Sequence, residues 1–220
     1  MHFAGRMINS PNDYDVVIKL IPTKNDNYFV CMRLCSIQDN RFAYRKNVLP
    51  TSMHPSQAAL IVSLAKPYLK ETAQIMDPFC GVGTLLIERA HLVPAREIYA
   101  TDTYGDAITK GRENAAFAKT RINFIHRDFF DFRHDYKFDE LITDMPVRNR
   151  QTKAEMELFY ERFFDKAAEH LVSGGIIVMY SNEIGFVKKQ IRLRVEYRLL
   201  QETCILDKKD FYLFVIRYED

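Results

Sequence analysis

The 220-residue chain is defined first by what is missing from it. Its four cysteines, Cys31, Cys35, Cys80 and Cys204, include no C-x-x-C pair, so neither a paired-cysteine zinc site nor a dithiol redox motif is written in it. Cys31 and Cys35 share one face of an apparent strand but stand too far apart along it to bond, which is the pattern of a reducing compartment. The six histidines show no metal-ligand spacing, and no metal is expected. Long apolar runs are absent too: the longest, AALIVSLA, is much too short to span a bilayer, and the opening MHFAGRMINSPNDYD has no signal-peptide core. Neither charge dominates, since the formal net charge is +2, so basic residues must be judged by where they cluster. These absences lead to the expectation of a soluble, cytoplasmic protein with no membrane and no metal partner.

What is present is alternation. The runs YDVVIKLI and YFVCMRL flank PTKNDN and read as a β-hairpin. After RFAYRKNVLPTSMH, a helix opens on Pro55 in PSQAALIVSLAKPYL. Strands AQIMD, EIYATD, INFIH, FDELIT and GGIIVMYS then alternate with helical or turn segments, and VEYRLLQETCIL and FYLFVIRY close the chain as a second hairpin. Such a pattern predicts an α/β fold: a mostly parallel seven-stranded sheet covered on both faces, ending in an antiparallel hairpin. Residues 1–50 are expected to form a hairpin and connector, and residues 51–220 the main domain.

In a parallel sheet, ligands bind beyond the carboxyl ends of the strands. The first parallel strand is followed by DPFCGVGT, Asp77 to Thr84, with Gly81 and Gly83 opening a helix whose first N–H groups are unpaired. Asp102 follows at about the distance of a ribose-binding acid, some 20 residues on. Leu86 stands where a dinucleotide fingerprint needs its third glycine, and G-x-x-x-x-G-K-[ST] is missing. A nucleoside cofactor with a charged, phosphate-free tail remains, and S-adenosylmethionine is the candidate. Asp128, after the third parallel strand, could accept from an adenine amine, with Phe129 beside it to stack; the same residue could equally cap a turn.

The runs HPSQAALIVSLA, DPFCGVGTLLIERA, ATDTYGDAITKGRENA and TDMPVRN, in this order, resemble the catalytic domain of the THUMP-associated RNA methyltransferases, the group that includes tRNA guanine-N2 methyltransferases. The resemblance runs from about Arg41 to Ser181 and is most specific at DPFCGVGTLLIE. It implies a Rossmann-like class I methyltransferase fold with S-adenosylmethionine held by Asp77, Pro78, Phe79, Cys80, Gly81, Gly83 and Thr84, by Asp102 and Thr103, and by Asp128 and Phe129. The helix from His54 to Ala59 is implied to help cover the cofactor. Asp144, Met145 and Pro146 match the family's Asp/Asn-x-Pro-aromatic motif, which implies catalytic roles for Asp144 and Pro146. An exocyclic amine is a poor nucleophile; a carboxylate and a rigid carbonyl that accept its hydrogens can aim its lone pair and stabilise developing positive charge.

The sequence departs from the family at the substrate end of this motif. Val147 replaces the aromatic that normally sandwiches an extruded base, and Arg148 stands where glycine is common, while Arg150 matches a basic position. Met145, Val147 and Arg150 are the expected substrate contacts. RNA, tRNA foremost, is the implied partner, with guanine N2 as target; ribosomal RNA, adenine N6, or a catalytically weak binding module are the alternatives. Only about fifty residues precede the match, so the expectation is either a piece of a longer protein or RNA capture delegated to a homo-oligomer or a separate RNA-capturing partner. Basic clusters at Arg41, Arg45 and Lys46, at Arg148, Arg150 and Lys153, and at Lys188, Lys189, Arg192 and Arg194 are candidate phosphate contacts.

Overall fold

The computed structural model describes residues 14–34, 40–206 and 210–220. Cys35, and with it the spacing of Cys31 and Cys35, lies outside them. The chain divides into two compact units, Met1–Phe42 and Ala43–Asp220.

In the first unit β1 (Val16–Pro22) and β2 (Tyr28–Leu34) form the expected antiparallel hairpin, Val16 facing Leu34 and Pro22 facing Tyr28. Its turn closes through the Thr23 N–H, which donates to Asn27 O at 2.8 Å, and Asp26 takes the left-handed conformation that Asp tolerates better than most residues. Ile18, Leu20, Val30 and Met32 share one face of this two-stranded ribbon and are exposed.

The second unit runs α1 (Pro55–Ala65), β3 (Gln74–Asp77), α2 (Thr84–Leu92), β4 (Glu97–Asp102), α3 (Gly105–Phe117), β5 (Asn123–His126), β6 (Phe138–Asp144), α4 (Lys153–His170), β7 (Leu171–Ser181), α5 (Ile184–Leu193), β8 (Tyr197–Leu206) and β9 (Phe211–Tyr218). The seven strands pair in the order β5-β4-β3-β6-β7-β9-β8, parallel from β5 to β7, with β9 antiparallel to both neighbours. This is the α/β fold and closing hairpin expected from the alternation.

Each element has a local cause. Pro55 fills the first turn of α1 behind the N-cap His54, whose ring nitrogen accepts from the Ser56 N–H. Thr152 and Glu155 form a reciprocal capping box that starts α4. Met156, Tyr160, Phe163, Phe164 and Ala167 recur at helical spacing and are buried against the sheet. They join Phe129, Phe132, Phe138 and Leu141 in one core, where each large side chain removed from water contributes about 1.5–3 kcal/mol. His170 sits among these rings, and burial pushes its imidazole down to about 4, so it stays neutral.

Arg89 of α2 is fully buried and forks onto Glu140 of β6, with Nε to Oε2 at 2.8 Å and Nη2 to Oε1 at 2.9 Å. Nη1 donates to Val93 O and Nη2 also to Lys70 O, so four of the five guanidinium N–H groups are paired. After β3 the chain builds outward through β4 to β5, then returns to β6 on the other side of β3. The carboxyl ends of β3 and β6 therefore flank the crevice where such sheets take ligands.

Candidate active site

Beyond Asp77 the chain turns through Pro78 to Gly83 into α2, and this turn is tied to the end of β4. The Cys80 N–H donates to Thr101 O at 3.0 Å, the Thr101 hydroxyl to Pro78 O at 2.9 Å, and the Gly81 N–H to Asp102 Oδ2 at 2.9 Å. Asp102 Oδ1 accepts from the Tyr104 N–H at 2.8 Å, so one carboxylate splints two loops. Gly81 and Gly83 have φ of 51° and 78°. A Cβ on Gly83 would stand 2.8 Å from the Phe124 ring, whereas one on Gly81 would meet nothing within 4 Å. Gly83 thus serves the protein's own packing, and Gly81 borders open space.

That space is a cavity of about 360 Å³ between the glycine turn and the end of β6. Asp77, Asp102 and Asp144 all line it. Burial pushes Asp77 up to about 8, helped by the negative charges of Asp144 and Asp102 and opposed by the Phe79 N–H, which it accepts at 3.0 Å. Burial likewise pushes Asp144 up to about 7. The Cys80 thiol is also raised, mainly by burial, which makes it a packing group rather than a nucleophile.

After Asp144 the backbone is fixed on one side by the Met145 N–H, which donates to Tyr180 O at 2.9 Å, and on the other by the Pro146 ring. The Met145 side chain is buried in the core. Val147 is 52% exposed at the cavity rim.

The opposite wall is an irregular segment, Leu49, Thr51, Ser52 and Met53. Leu49 N–H donates to Ser52 Oγ at 2.8 Å, and Arg45 reaches Met53 O at 3.2 Å. Asn114 of α3, fully buried, accepts from the Lys46 and Asn47 N–H groups at 3.1 and 2.9 Å and donates to Asn47 O at 2.9 Å. Arg45 is therefore occupied in holding this wall rather than presented as a phosphate contact. Helix α1, expected to cover the cofactor, supplies no lining residue; its Gln57 amide instead bonds the Tyr180 hydroxyl.

Of the residues singled out in the sequence, Asp77, Phe79, Cys80, Gly81, Thr84, Asp102, Asp144, Met145, Pro146 and Val147 line this one cavity. Pro78 and Gly83 shape its turn without lining it. Thr103, Asp128 and Arg150 are exposed and outside it. Asp128 caps the 3₁₀ turn Phe129–Asp131 by accepting from the Phe130 N–H at 2.9 Å, the capping alternative open to it from the sequence. Phe129 is 1% exposed, its ring packed 5.9 Å from those of Phe79 and Phe163, so it offers no face to a ligand.

A smaller, apolar pocket of about 280 Å³ shares Pro146 with the cavity and is lined by Met156, Leu158, Phe159 and Arg162 of α4. Phe159 meets Phe130 edge-on at 5.5 Å, and the Arg162 guanidinium lies 4.2 Å over the Phe130 ring. Phe159 is half-buried and packs against the core cluster. The wall at residues 49–53 carries no period that could have revealed it.

Comparison with known proteins gives this geometry its relatives. The tRNA (guanine(10)-N2)-dimethyltransferase of Methanothermobacter thermautotrophicus is 31% identical over 187 residues, 80% of this chain and 54% of that protein. A release factor glutamine methyltransferase of Lactococcus lactis is 25% identical over 155 residues, 62% of this chain and 56% of that one. The chain thus spans about half the length of the curated relatives it matches. In fold it is similar to TrmN from Thermus thermophilus, with a TM-score of 0.72 at 20% identity, covering 92% of this chain and 60% of that structure. Residues 43–203 match the RMKL-like methyltransferase domain, UPF0020, and the chain belongs to that family.

Proposed function

We propose that the chain is an S-adenosylmethionine-dependent RNA methyltransferase acting on an exocyclic amine, with guanine N2 in tRNA as the target. The observation that carries this reading is that Asp144 and Pro146 line the same cavity as the glycine turn and Asp102. The methyltransferase domain of this family works with S-adenosylmethionine, which supplies the methyl group.

The cavity fits such a cofactor on two independent counts. Thr84 lines it with a buried hydroxyl that has no hydrogen-bond partner among the described residues, and Gly81 leaves room where any side chain would intrude. Asp77 and the turn through Gly81 would face the amino-acid end, and the second lone pairs of Asp102 would take the ribose hydroxyls. Asp128 has a second carboxylate oxygen with no hydrogen-bond partner among the described residues, which would serve an adenine amine. The apolar pocket at Pro146 and Phe159, on the Phe130 side of the site, would receive the ring that Phe129 cannot.

At the reacting end, the Asp144 carboxylate and the Met145 carbonyl accept the two amine hydrogens and hold the nitrogen lone pair toward the cavity. Pro146 and the Met145–Tyr180 hydrogen bond keep that carbonyl from turning away. As the nitrogen becomes cationic, Asp144 stabilises the charge and then takes the released proton at a carboxylate oxygen, a role suited to a group held near 7. With tRNA as substrate, the working compartment is the cytoplasm. The segment up to about residue 50 would act as a connector whose last residues, from Ala43 on, belong structurally to the catalytic unit.

The lactococcal relative is a release factor glutamine methyltransferase, and a glutamine's amide nitrogen needs the same two acceptors. The deciding experiment supplies labelled S-adenosylmethionine with total tRNA, ribosomal RNA, DNA and release factor in parallel, followed by nucleoside or residue analysis. N2-methylguanosine in tRNA is the expected product. Label in ribosomal RNA, in N6-methyladenosine or in protein would reassign the substrate, and no label despite cofactor binding would leave a binding module.

A further inference from the structure

The loop that carries Pro146 continues through Arg148 and Arg150 to the start of α4, and a cleft of about 420 Å³ lies between the N-terminal half of α4 and α5. Lys153 and Glu157 line it from α4; Glu183, Lys189 and Arg192 line it from α5 and its cap. Its cations are of two kinds. Arg148 lies 3.8 Å from Glu183, Lys189 pairs with Glu157, and nearby Lys188 pairs with Glu202 at 2.8 Å. Arg150, Lys153 and Arg192 are exposed and have no ion-pair partner among the described residues. The acids of the cleft are already matched, and Glu155 is engaged in capping α4 through Thr152, so these three cations are surplus.

Lys153 is informative because it is the first residue of α4, the end at which the helix dipole repels a cation. The acid one turn on, Glu157, interacts with Lys153 electrostatically but is already ion-paired with Lys189. Arg194, by contrast, one of the candidate phosphate contacts, is taken up by Asp165 at 2.5 Å and by Gln190.

We infer that this cleft seats the sugar–phosphate backbone of the RNA strand leading away from the nucleotide held at Asp144, an inference that rests on the RNA methyltransferase reading above. Phosphate oxygens accept from Lys153 and Arg192 at the cleft and from Arg150 on the loop, and a phosphate can displace Glu157 from Lys189. The loop from Pro146 to Lys153 joins the motif to the cleft, and its Arg148 lies 3.8 Å from Glu183 of the cleft wall, so one strand can run over both. Such contacts position the RNA without reading its sequence.

The test measures tRNA binding to the 220-residue chain by fluorescence anisotropy across a salt series, with cofactor binding followed by calorimetry. The double variant Lys153→Ala/Arg192→Ala should bind tRNA more weakly at low salt, with the slope of log affinity against log salt shallower by about 1 per cation removed, while cofactor affinity is kept. A control, Lys66→Ala/Arg121→Ala, removes the same charge from the opposite end of the sheet and should leave the slope near wild type. Wild-type binding and slope in the cleft variant, with tRNA still methylated, would overturn the cleft and leave the RNA reading standing. Equal loss in cleft and control variants would also overturn it, as a net-charge effect. A wild-type chain that shows no salt-dependent tRNA binding would overturn both readings together.

Discussion

The two strand ends that meet in the cavity differ in how their polar groups are used. At the end of β4, both oxygens of Asp102 accept backbone N–H groups, and the glycine turn is stitched to Thr101 and Asp102 at three points. At the end of β6, burial alone governs Asp144, and beyond Pro146 the loop is exposed through Arg150. One side is braced by its own hydrogen bonds before any ligand arrives; the other has acceptors and cations still to be matched. A rigid side suits a small cofactor of fixed shape, and an unmatched side suits a large substrate that brings its own hydrogens and phosphates.

The largest effect on this contrast should come from the pair that ties the two sides together. Arg89→Ala leaves Glu140 buried without its cation and with only the Lys70 N–H to accept from, so denaturant unfolding should show a loss of about 3–5 kcal/mol, with both halves of the site lost together. Asp144→Ala should separate the sides: methyl transfer should fall about 10²–10³-fold while calorimetry shows cofactor affinity little changed. Equal losses of both would show the two strand ends to be one functional unit. Val147→Tyr sharpens the contrast from the substrate side, restoring a ring at the exposed rim. It should tighten binding of the target base by about 1–3 kcal/mol, seen as a lower KM for RNA with little change in cofactor binding.

A further effect is that of pH on the cofactor-free protein. Asp77 and Asp144 are raised from the ordinary 3.8 to about 8 and about 7, so the folded state holds more protons than the unfolded one between those values. Their contribution to stability is therefore present below about 4 and is lost as pH rises through 7 and 8. Thermal unfolding should show Tm falling across this window, and Asp77→Asn should flatten the fall. Methyl transfer should move the other way, rising with pH as Asp144 ionises.

Much of this was legible in the sequence because it rests on periodicity and punctuation. Buried runs such as FDELIT and glycine turns such as DPFCGVGT declare themselves by pattern, and the order of elements follows from their alternation. Three things did not. The wall at residues 49–53 has neither period nor motif and is placed by Asn114, a partner more than sixty residues away. Phe129 and Phe130 are adjacent phenylalanines, and only the 3₁₀ turn decides that the first enters the core. Arg45 reads as a surface cation until its carbonyl partners are seen. Each depends on a tertiary contact, which local pattern does not encode.

Asn114 also sets a timescale. Asn47 donates its amide to a side chain rather than to a helix or sheet ladder, so its hydrogen exchange should report the opening of that single attachment and not the unfolding of the domain. In the Asn114→Ala protein this amide should lose protection while those of β3 and β6 keep theirs. The wall of the cavity would then have a lifetime of its own, far shorter than that of the sheet it leans on.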